Sequence, residues 1–250
     1  MQNWSFNDGV ARLSRRSPVT GEVAGERTGS ELEFVRELGG LLLMHKFAVD
    51  ELLTKLRIWS EEFDYAHEHD PIEHIASRIK RPESIMQKLR RKGLPVTLAS
   101  ARDHLTDIAG VRVVCPFVSD VYLIRDLIRR NGMEIVQTKD YIAEPKPNGY
   151  RSLHLLIRVP VHLSDRVEKV TAEIQLRTIA MDFWAAVERK IFDKSGGAPR
   201  PEFSGELKAA ADAAADLDAR MKGLHELKAL AREVVPDGIE GLGGEELPAR

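Results

Sequence analysis

The apolar positions Leu38, Leu41, Ala48, Leu52, Leu56, Trp59 and Phe63 recur at steps of three, four or seven, which draws one helical stripe over about residues 31–63. Gly39-Gly40 lies inside the stripe and is expected to bend or interrupt it. Pro71, Pro82 and Pro95 punctuate a short basic segment, after which the pattern turns strand-like. Residues 111–115, 133–137, 152–159 and 171–177 read as strands, with helices at 120–131 and about 178–194. In one strand Leu153, Leu155 and Ile157 alternate inward against Ser152, His154 and Leu156 outward. In another, Ala172, Ile174 and Leu176 face the core while Glu173, Gln175 and Arg177 share the other face. Residues 152–177 look like adjacent strands joined by a loop, and other links are long enough for helical crossovers. The pattern therefore predicts an α/β fold with a mixed β-sheet flanked by helices.

An alanine-rich helix is expected from about 204 to 234. Its Leu207, Ala210, Ala214, Leu217, Met221 and Leu224 alternate at three and four, a heptad-like seam that Lys228 interrupts. Such a seam wants a partner. Residues 1–30 lack apolar periodicity and suit a disordered arm, and 236–250, rich in Gly and Glu, suit a flexible tail. The division is then an arm at 1–30, the main domain at 31–197, a helical segment for self-association at 198–235 and the tail at 236–250.

Composition narrows the function. The 250 residues carry 37 Lys and Arg against 39 Asp and Glu, a formal net charge of −2. This argues against a bulk nucleic-acid binder, whose surface must neutralise many phosphates, so any anion site is local. Met1-Gln2-Asn3-Trp4 begins no apolar leader and no stretch approaches a membrane span, which reads as a cytoplasmic protein with no membrane partner. The single cysteine, Cys115, excludes an internal disulfide and a multi-cysteine metal knuckle, and its apolar setting reads as a buried structural thiol.

Three segments carry candidate chemistry. Residues 77–91 hold six cations and one acid. Pro82 suits the first turn of a helix that sets Ser84, Lys88 and Arg91 on one face, and Arg78 and Lys80 project together from an extended lead-in. These groups and the helix N-terminus can converge on one polyphosphate; taken alone, the segment is equally a solvated helix face. Asp107 stands at the mouth of a strand that continues through Gly110 and Arg112, and Glu173 is the matching acid on a neighbouring strand. Two such carboxylates with cations nearby suit Mg2+ on a nucleoside polyphosphate, since that ion takes one or two protein carboxylates plus phosphate oxygens. The third segment holds the turn Pro147-Asn148-Gly149. There Tyr150 can lay its ring on a purine, and Lys146 and His154 can reach phosphates.

These segments occur in one order: Ser77-Arg-Ile-Lys with Ser84 and Lys88, Asp107-Ile-Ala-Gly-Val-Arg112, Lys139-Asp-Tyr-Ile with Pro145-Lys-x-Asn-Gly-Tyr-x-Ser-Leu-His154, and Glu173-Ile-Gln-Leu-Arg-Thr-x2-Met-x2-Trp-Ala186. Across about residues 34–195 the chain resembles the RelA/SpoT-type alarmone synthetase (GTP pyrophosphokinase) domain. It holds no His-Asp motif for the hydrolase domain of the long bifunctional enzymes, so it is similar to the small, single-domain synthetases. The resemblance implies a nucleotidyltransferase-like fold with N- and C-terminal helical extensions. It implies transfer of the β,γ-pyrophosphate of ATP to the ribose 3'-hydroxyl of GTP or GDP, with Mg2+ as cofactor. Carried over by motif, Arg78, Lys80, Ser84, Lys88 and Arg91 hold ATP, with Arg112 near its transferring phosphates. Asp107 and Glu173 bind Mg2+, and Glu173 acts as, or positions, the base. Tyr150 stacks on guanine, while Lys139, Lys146, Asn148, His154 and Gln175 serve the acceptor. Many relatives read Glu-His where this chain has Glu188-Arg189, a departure expected to lie outside the chemical step. A homo-oligomer, typically a tetramer, also belongs to the resemblance, and a regulatory RNA or alarmone is a further partner class to consider. The alternatives are the same fold and donor with a tRNA 3' end or adenine nucleotide as acceptor, or a non-catalytic nucleotide- or RNA-binding regulator.

Overall fold

The computed structural model describes residues 29–67, 69–192 and 201–234. The proposed arm at 1–30 lies outside them up to residue 28, and the proposed tail at 236–250 lies outside them entirely. Helix α1 spans Gly29–Ala66 without a break. The expected interruption at Gly39-Gly40 does not occur. Two glycines cost the helix about 1 kcal/mol each, and the burial of Leu38, Leu41 and Leu42 on either side outweighs this.

Five strands follow: β1 His74–Ile79, β2 Ala109–Cys115, β3 Glu134–Asp140, β4 Leu153–His162 and β5 Val167–Thr178. They form one sheet in the order β1-β2-β5-β4-β3. Only β2 and β5 pair in parallel, so the sheet is mixed, as the pattern predicts. Between the strands come α2 Pro82–Arg91, α3 Leu98–His104 and α4 Val118–Arg130; α5 Ile179–Phe192 and α6 Pro201–Val234 follow β5.

Two elements escape the sequence pattern. The basic lead-in to α2 is the edge strand β1, whose single apolar face and run of polar side chains hide its strand character. The short helix α3, begun by Thr97, whose hydroxyl accepts from the Ser100 amide, is too brief to show a period. Strand β3 also runs on to Asp140, three residues beyond its apolar stretch, because Lys139 and Asp140 pair with His154 and Leu153.

The pleat divides the sheet by chemistry. Val111, Val113, Leu153, Leu155, Ile157, Ile174 and Leu176 point to one face, where Leu52, Leu56 and Trp59 of α1 and Val121, Ile124 and Ile128 of α4 close a continuous core. Cys115 is buried in this core, and burial holds its thiol well above the ordinary range, which makes it the inert group the sequence predicts. A second cluster joins Leu38, Leu41 and Leu42 of α1 to Ile85, Met86 and Leu89 of α2, and so fixes the basic helix beside the sheet. The opposite face of the sheet is polar and open.

Candidate active site

The strand registers assemble the open face. Arg112 on β2 is level with Gln175 on β5, Gln175 with His154 on β4, and His154 with Lys139 on β3. One row further along, Arg78, Gly110 and Glu173 are level across β1, β2 and β5. Residues from all five strands thus share one surface because directly opposed residues point the same way.

The pairing of β1 with β2 continues one step past the strands, through the Lys80 amide to the Ile108 carbonyl at 2.8 Å. This sets Lys80 beside Asp107. Its Nζ lies 2.5 Å from Asp107 Oδ2, and Lys88 Nζ, from α2, lies 2.7 Å from the same oxygen. Burial pushes the Asp107 carboxyl up, but the bonds from Lys80 and Lys88 outweigh it and hold the group below the ordinary aspartate range. Its other oxygen, Oδ1, is buried with no hydrogen-bond partner. A buried carboxylate oxygen without a donor is a costly arrangement that a cation relieves.

Glu173 is the second carboxylate. Burial pushes it up, while the hydrogen bond from His154 Nδ1 at 3.0 Å brings it below the ordinary glutamate range, against the opposing charge of Asp107. From His154 a chain of side chains runs back across the site. His154 Nε2 lies 2.7 Å from the Tyr150 hydroxyl, which accepts from Arg177 Nη2 at 2.6 Å. With Arg177 donating, the phenol proton goes to Nε2, so Nδ1 carries the proton given to Glu173. Arg177 also reaches Gln175 Oε1 at 3.1 Å and Asp182 Oδ1 at 3.0 Å.

Tyr150 is aimed by its turn. Gly149 takes φ +86°, which favours glycine, its amide donates to the Lys146 carbonyl at 2.8 Å, and Asn148 Oδ1 accepts from the Tyr150 amide at 3.2 Å. The Lys146 ammonium lies 4.5 Å from the Tyr141 ring centre and 4.7 Å from that of Tyr150. Helix α6 backs the turn: Arg151 reaches Asp212 at 3.3 Å, Trp184 Nε1 donates to the Leu207 carbonyl at 3.0 Å and Thr178 donates to Asp218 at 2.5 Å.

A cleft of about 1400 Å³ opens over this face, wider than a single small-molecule pocket. Of the candidate residues, Arg78, Arg112, Lys146, Asn148, Tyr150, Glu173 and Gln175 line it. Lys80, Lys88, Asp107 and His154 are not part of the lining: the two lysines pair with Asp107, and His154 joins the lining residues Glu173 and Tyr150. Ser84 is half-buried in the first turn of α2, whereas Lys139 and Arg91 are exposed, Arg91 at the far end of that helix.

Two cleft residues, and one acid paired with the first of them, carry more than residue type and spacing suggest. Arg177, expected only to share a face with Glu173, is 2% exposed and is the hub of the polar chain. Asp182, five residues on, is the acceptor for two guanidinium groups; an acid in the first turn of a helix is its sole sequence signal. Arg189 is part of the cleft lining, and burial together with Arg177 and Arg112 lowers its pKa. Ser152 shares the face of Arg177, as its place in the alternation predicts, but is fully buried there, donating to the Leu176 carbonyl at 3.1 Å and accepting from Arg177 Nε at 3.3 Å.

The fold and site together define an α/β protein with a cation-rich cleft, the carboxylate of Glu173 in its lining and that of Asp107 held by two lysines outside it, an arrangement suited to a polyanion. The family model described as a region found in RelA/SpoT proteins matches residues 77–198. The chain is 51% identical over 184 residues to the GTP pyrophosphokinase YwaC of Bacillus subtilis, covering 73% of this chain and 88% of that protein. The small alarmone synthetase 2 of Bacillus subtilis is 48% identical and superposes with a TM-score of 0.69 over 76% of this chain and 98% of the other. The small alarmone synthetase 1 of the same organism, bound to its product pppGpp, is 35% identical with a TM-score of 0.70, over 76% and 97% of the two chains. The chain belongs to the RelA/SpoT family.

Proposed function

We infer that the protein is a GTP pyrophosphokinase that transfers pyrophosphate from ATP to the ribose 3'-hydroxyl of GTP or GDP, making pppGpp or ppGpp. The observation that carries this reading is the polar chain from Tyr150 through His154 to Glu173. It links a ring suited to a base with a carboxylate suited to a hydroxyl proton. In this assignment the acceptor stacks on Tyr150 and its 3'-hydroxyl lies against Glu173. The 3'-oxygen attacks the β-phosphorus of ATP, the bond from that phosphorus to the α-phosphate oxygen breaks, AMP leaves and the proton passes to Glu173. A carboxylate this ionised is a weak base, so proton transfer accompanies bond formation rather than preceding it. Arg78 and Arg112 in the cleft, with Lys80 and Lys88 outside its lining, hold the donor phosphates and neutralise charge as they move, which is the main demand of such a transfer.

The residues fit Mg2+. The orphan Oδ1 of Asp107 and the carboxylate of Glu173 would hold it, and the ion would neutralise phosphate charge there. Among the described residues no cluster of three or more His, Cys, Asp or Glu side chains suits a metal. A two-carboxylate site completed by phosphates needs none. The cytoplasm, where ATP and GTP are abundant, is the compartment this chemistry implies; no described helix is long and apolar enough to cross a membrane.

We further read the protein as a homo-oligomer, in the tetrameric form the resemblance implies. Helix α6 docks on its own domain through Ala211 and Asp218, yet leaves Leu217, Met221 and Leu224 about half or more exposed. Helix α5 carries a second bare stripe at four-residue steps, Ile179, Phe183, Val187 and Ile191, with Phe183 70% exposed. Apolar surface of this extent is the mark of an interface.

The deciding experiment mixes the protein with ATP, Mg2+ and, in separate reactions, GTP, GDP, an adenine nucleotide or tRNA, and resolves products by ion-exchange chromatography. The reading expects AMP together with a guanosine 3'-diphosphate product. Transfer only to tRNA or an adenine nucleotide overturns the acceptor assignment, and no AMP release with any acceptor overturns the enzyme.

A further inference from the structure

One oxygen atom serves two guanidinium groups in this site. Asp182 Oδ1 lies 3.1 Å from Arg112 Nη1 and 3.0 Å from Arg177 Nη1. The two arginines face different tasks. Arg112, on β2, lines the cleft beside Gly110, and its Nε is buried without a hydrogen-bond partner. Arg177, on β5, is enclosed and spends its other bonds on Ser152, Gln175 and the Tyr150 hydroxyl.

Resting on the proposed reaction, we propose that Asp182 is a positioning residue that couples the two nucleotide subsites by dividing one carboxylate between the donor-side Arg112 and the acceptor-side Arg177. Without donor, Arg112 lacks a phosphate partner and draws on Asp182, so the charge available to Arg177 is shared. When donor phosphates engage Arg112, its positive charge is met by theirs and Asp182 acts on Arg177 alone. Arg177 is then held more firmly, and through it the phenol of Tyr150 and the chain to Glu173. Donor binding therefore tightens acceptor binding, and by linkage the acceptor tightens the donor by the same factor. Asp182 itself is 15% exposed and touches neither nucleotide in this scheme; it acts through the arginines.

The test is a binding cycle on the full-length protein with Mg2+, using GDP and the non-hydrolysable donor analogue α,β-methylene ATP, read by isothermal titration calorimetry. In the wild type the analogue is expected to tighten GDP binding about fivefold or more, the lower range of allosteric coupling. In Asp182→Asn, which keeps an acceptor oxygen but not the charge, that ratio is expected to fall within twofold of one. Arg112→Met gives a second arm that leaves the Asp182 to Arg177 pair intact. It is expected to bind GDP without any donor as tightly as the wild type does with the analogue, a gain that generalised damage does not produce. This arm decides the matter if Asp182→Asn fails to fold. A wild-type ratio of one, an undiminished ratio in folded Asp182→Asn, or weaker GDP binding in Arg112→Met overturns the proposal while leaving the proposed function standing. Absence of any GDP or GTP binding by the wild type overturns both.

Discussion

The ammonium of Lys146 lies 4.7 Å from the centre of the Tyr150 ring, on the residue assigned to read the acceptor base. A base that stacks on this ring therefore competes with a cation already attracted to it, and the displaced ammonium is free to meet the acceptor's phosphates. Tyr150→Ala removes the platform. Stacking of a base on an aromatic ring is worth about 1–3 kcal/mol, so KM for GTP is expected to rise roughly tenfold or more.

Tyr150→Phe keeps the ring but removes the oxygen that joins Arg177 to His154. The sequence alone makes this change mild; the structure makes it cost kcat. Steady-state kinetics are expected to show a KM close to wild type and a clear fall in turnover. An unchanged turnover assigns the hydroxyl no part in holding His154.

Asp107→Asn and Glu173→Gln are expected to lower the transfer rate on the order of 10²–10⁴-fold, the range of a lost general base or metal carboxylate. The overall fold should persist, as judged by circular dichroism. Full activity in either folded variant with saturating substrates and Mg2+ removes that carboxylate from the chemistry.

Gly149 and Ala211 bind the acceptor turn to the last helix. A Cβ at Gly149 would come within 2.5 Å of the Ala211 Cβ, and the φ of +86° is unfavourable to any side chain. The left-handed backbone costs about 1–2 kcal/mol and the overlap a further ~1–3 kcal/mol. Gly149→Ala is expected to lower Tm and weaken GTP use together. Adding Ala211→Gly should restore part of the loss, because it relieves the overlap and leaves the backbone strain.

Two aspartates give opposite pH signatures. Asp218 is raised, since burial outweighs the hydrogen bond from Thr178. A raised acid contributes stability that is complete below its ordinary value of 3.8 and lost as pH rises through the folded value. Asp218→Asn is therefore expected to raise Tm relative to wild type at neutral pH, with the difference fading as pH falls toward 3.8. Asp107 is lowered, so its pairing contributes above 3.8 and is lost in acid, and Asp107→Asn should cost stability most at neutral pH. Thermal unfolding of both variants across this range checks the signs.

Leu217→Asp combined with Leu224→Asp is expected to give a smaller, folded species by light scattering, because both side chains are exposed in the single chain. Loss of cooperative unfolding at unchanged subunit number refutes the interface. So does a wild-type protein that is monomeric across micromolar concentrations.

Local patterning was enough for most elements of the fold. The alternation along β5 put Glu173, Gln175 and Arg177 on one face, and the periodicity of α1 marked its core side. Both follow from rules that act over a few residues, namely the two-residue pleat and the 3.6-residue turn. The ordered motifs likewise singled out Asp107, Tyr150 and Glu173 as candidates, and the proposed reaction rests on them. Strand β1 was legible only as an extended lead-in, because a six-residue edge strand with so few apolar side chains shows too little period and is defined by its pairing with β2. Nor were the partners. That Lys80 and Lys88 meet on one oxygen of Asp107, that Arg177 joins Tyr150 to Asp182, and that Arg189 faces the cleft depend on the order β1-β2-β5-β4-β3 and the helices packed on it. Residue type and spacing determined which groups this chain has available for chemistry. Strand register and helix packing decided which of them meet, since contacts such as Lys80 to Asp107 and Tyr150 to Arg177, each 27 residues apart, form only when the sheet closes.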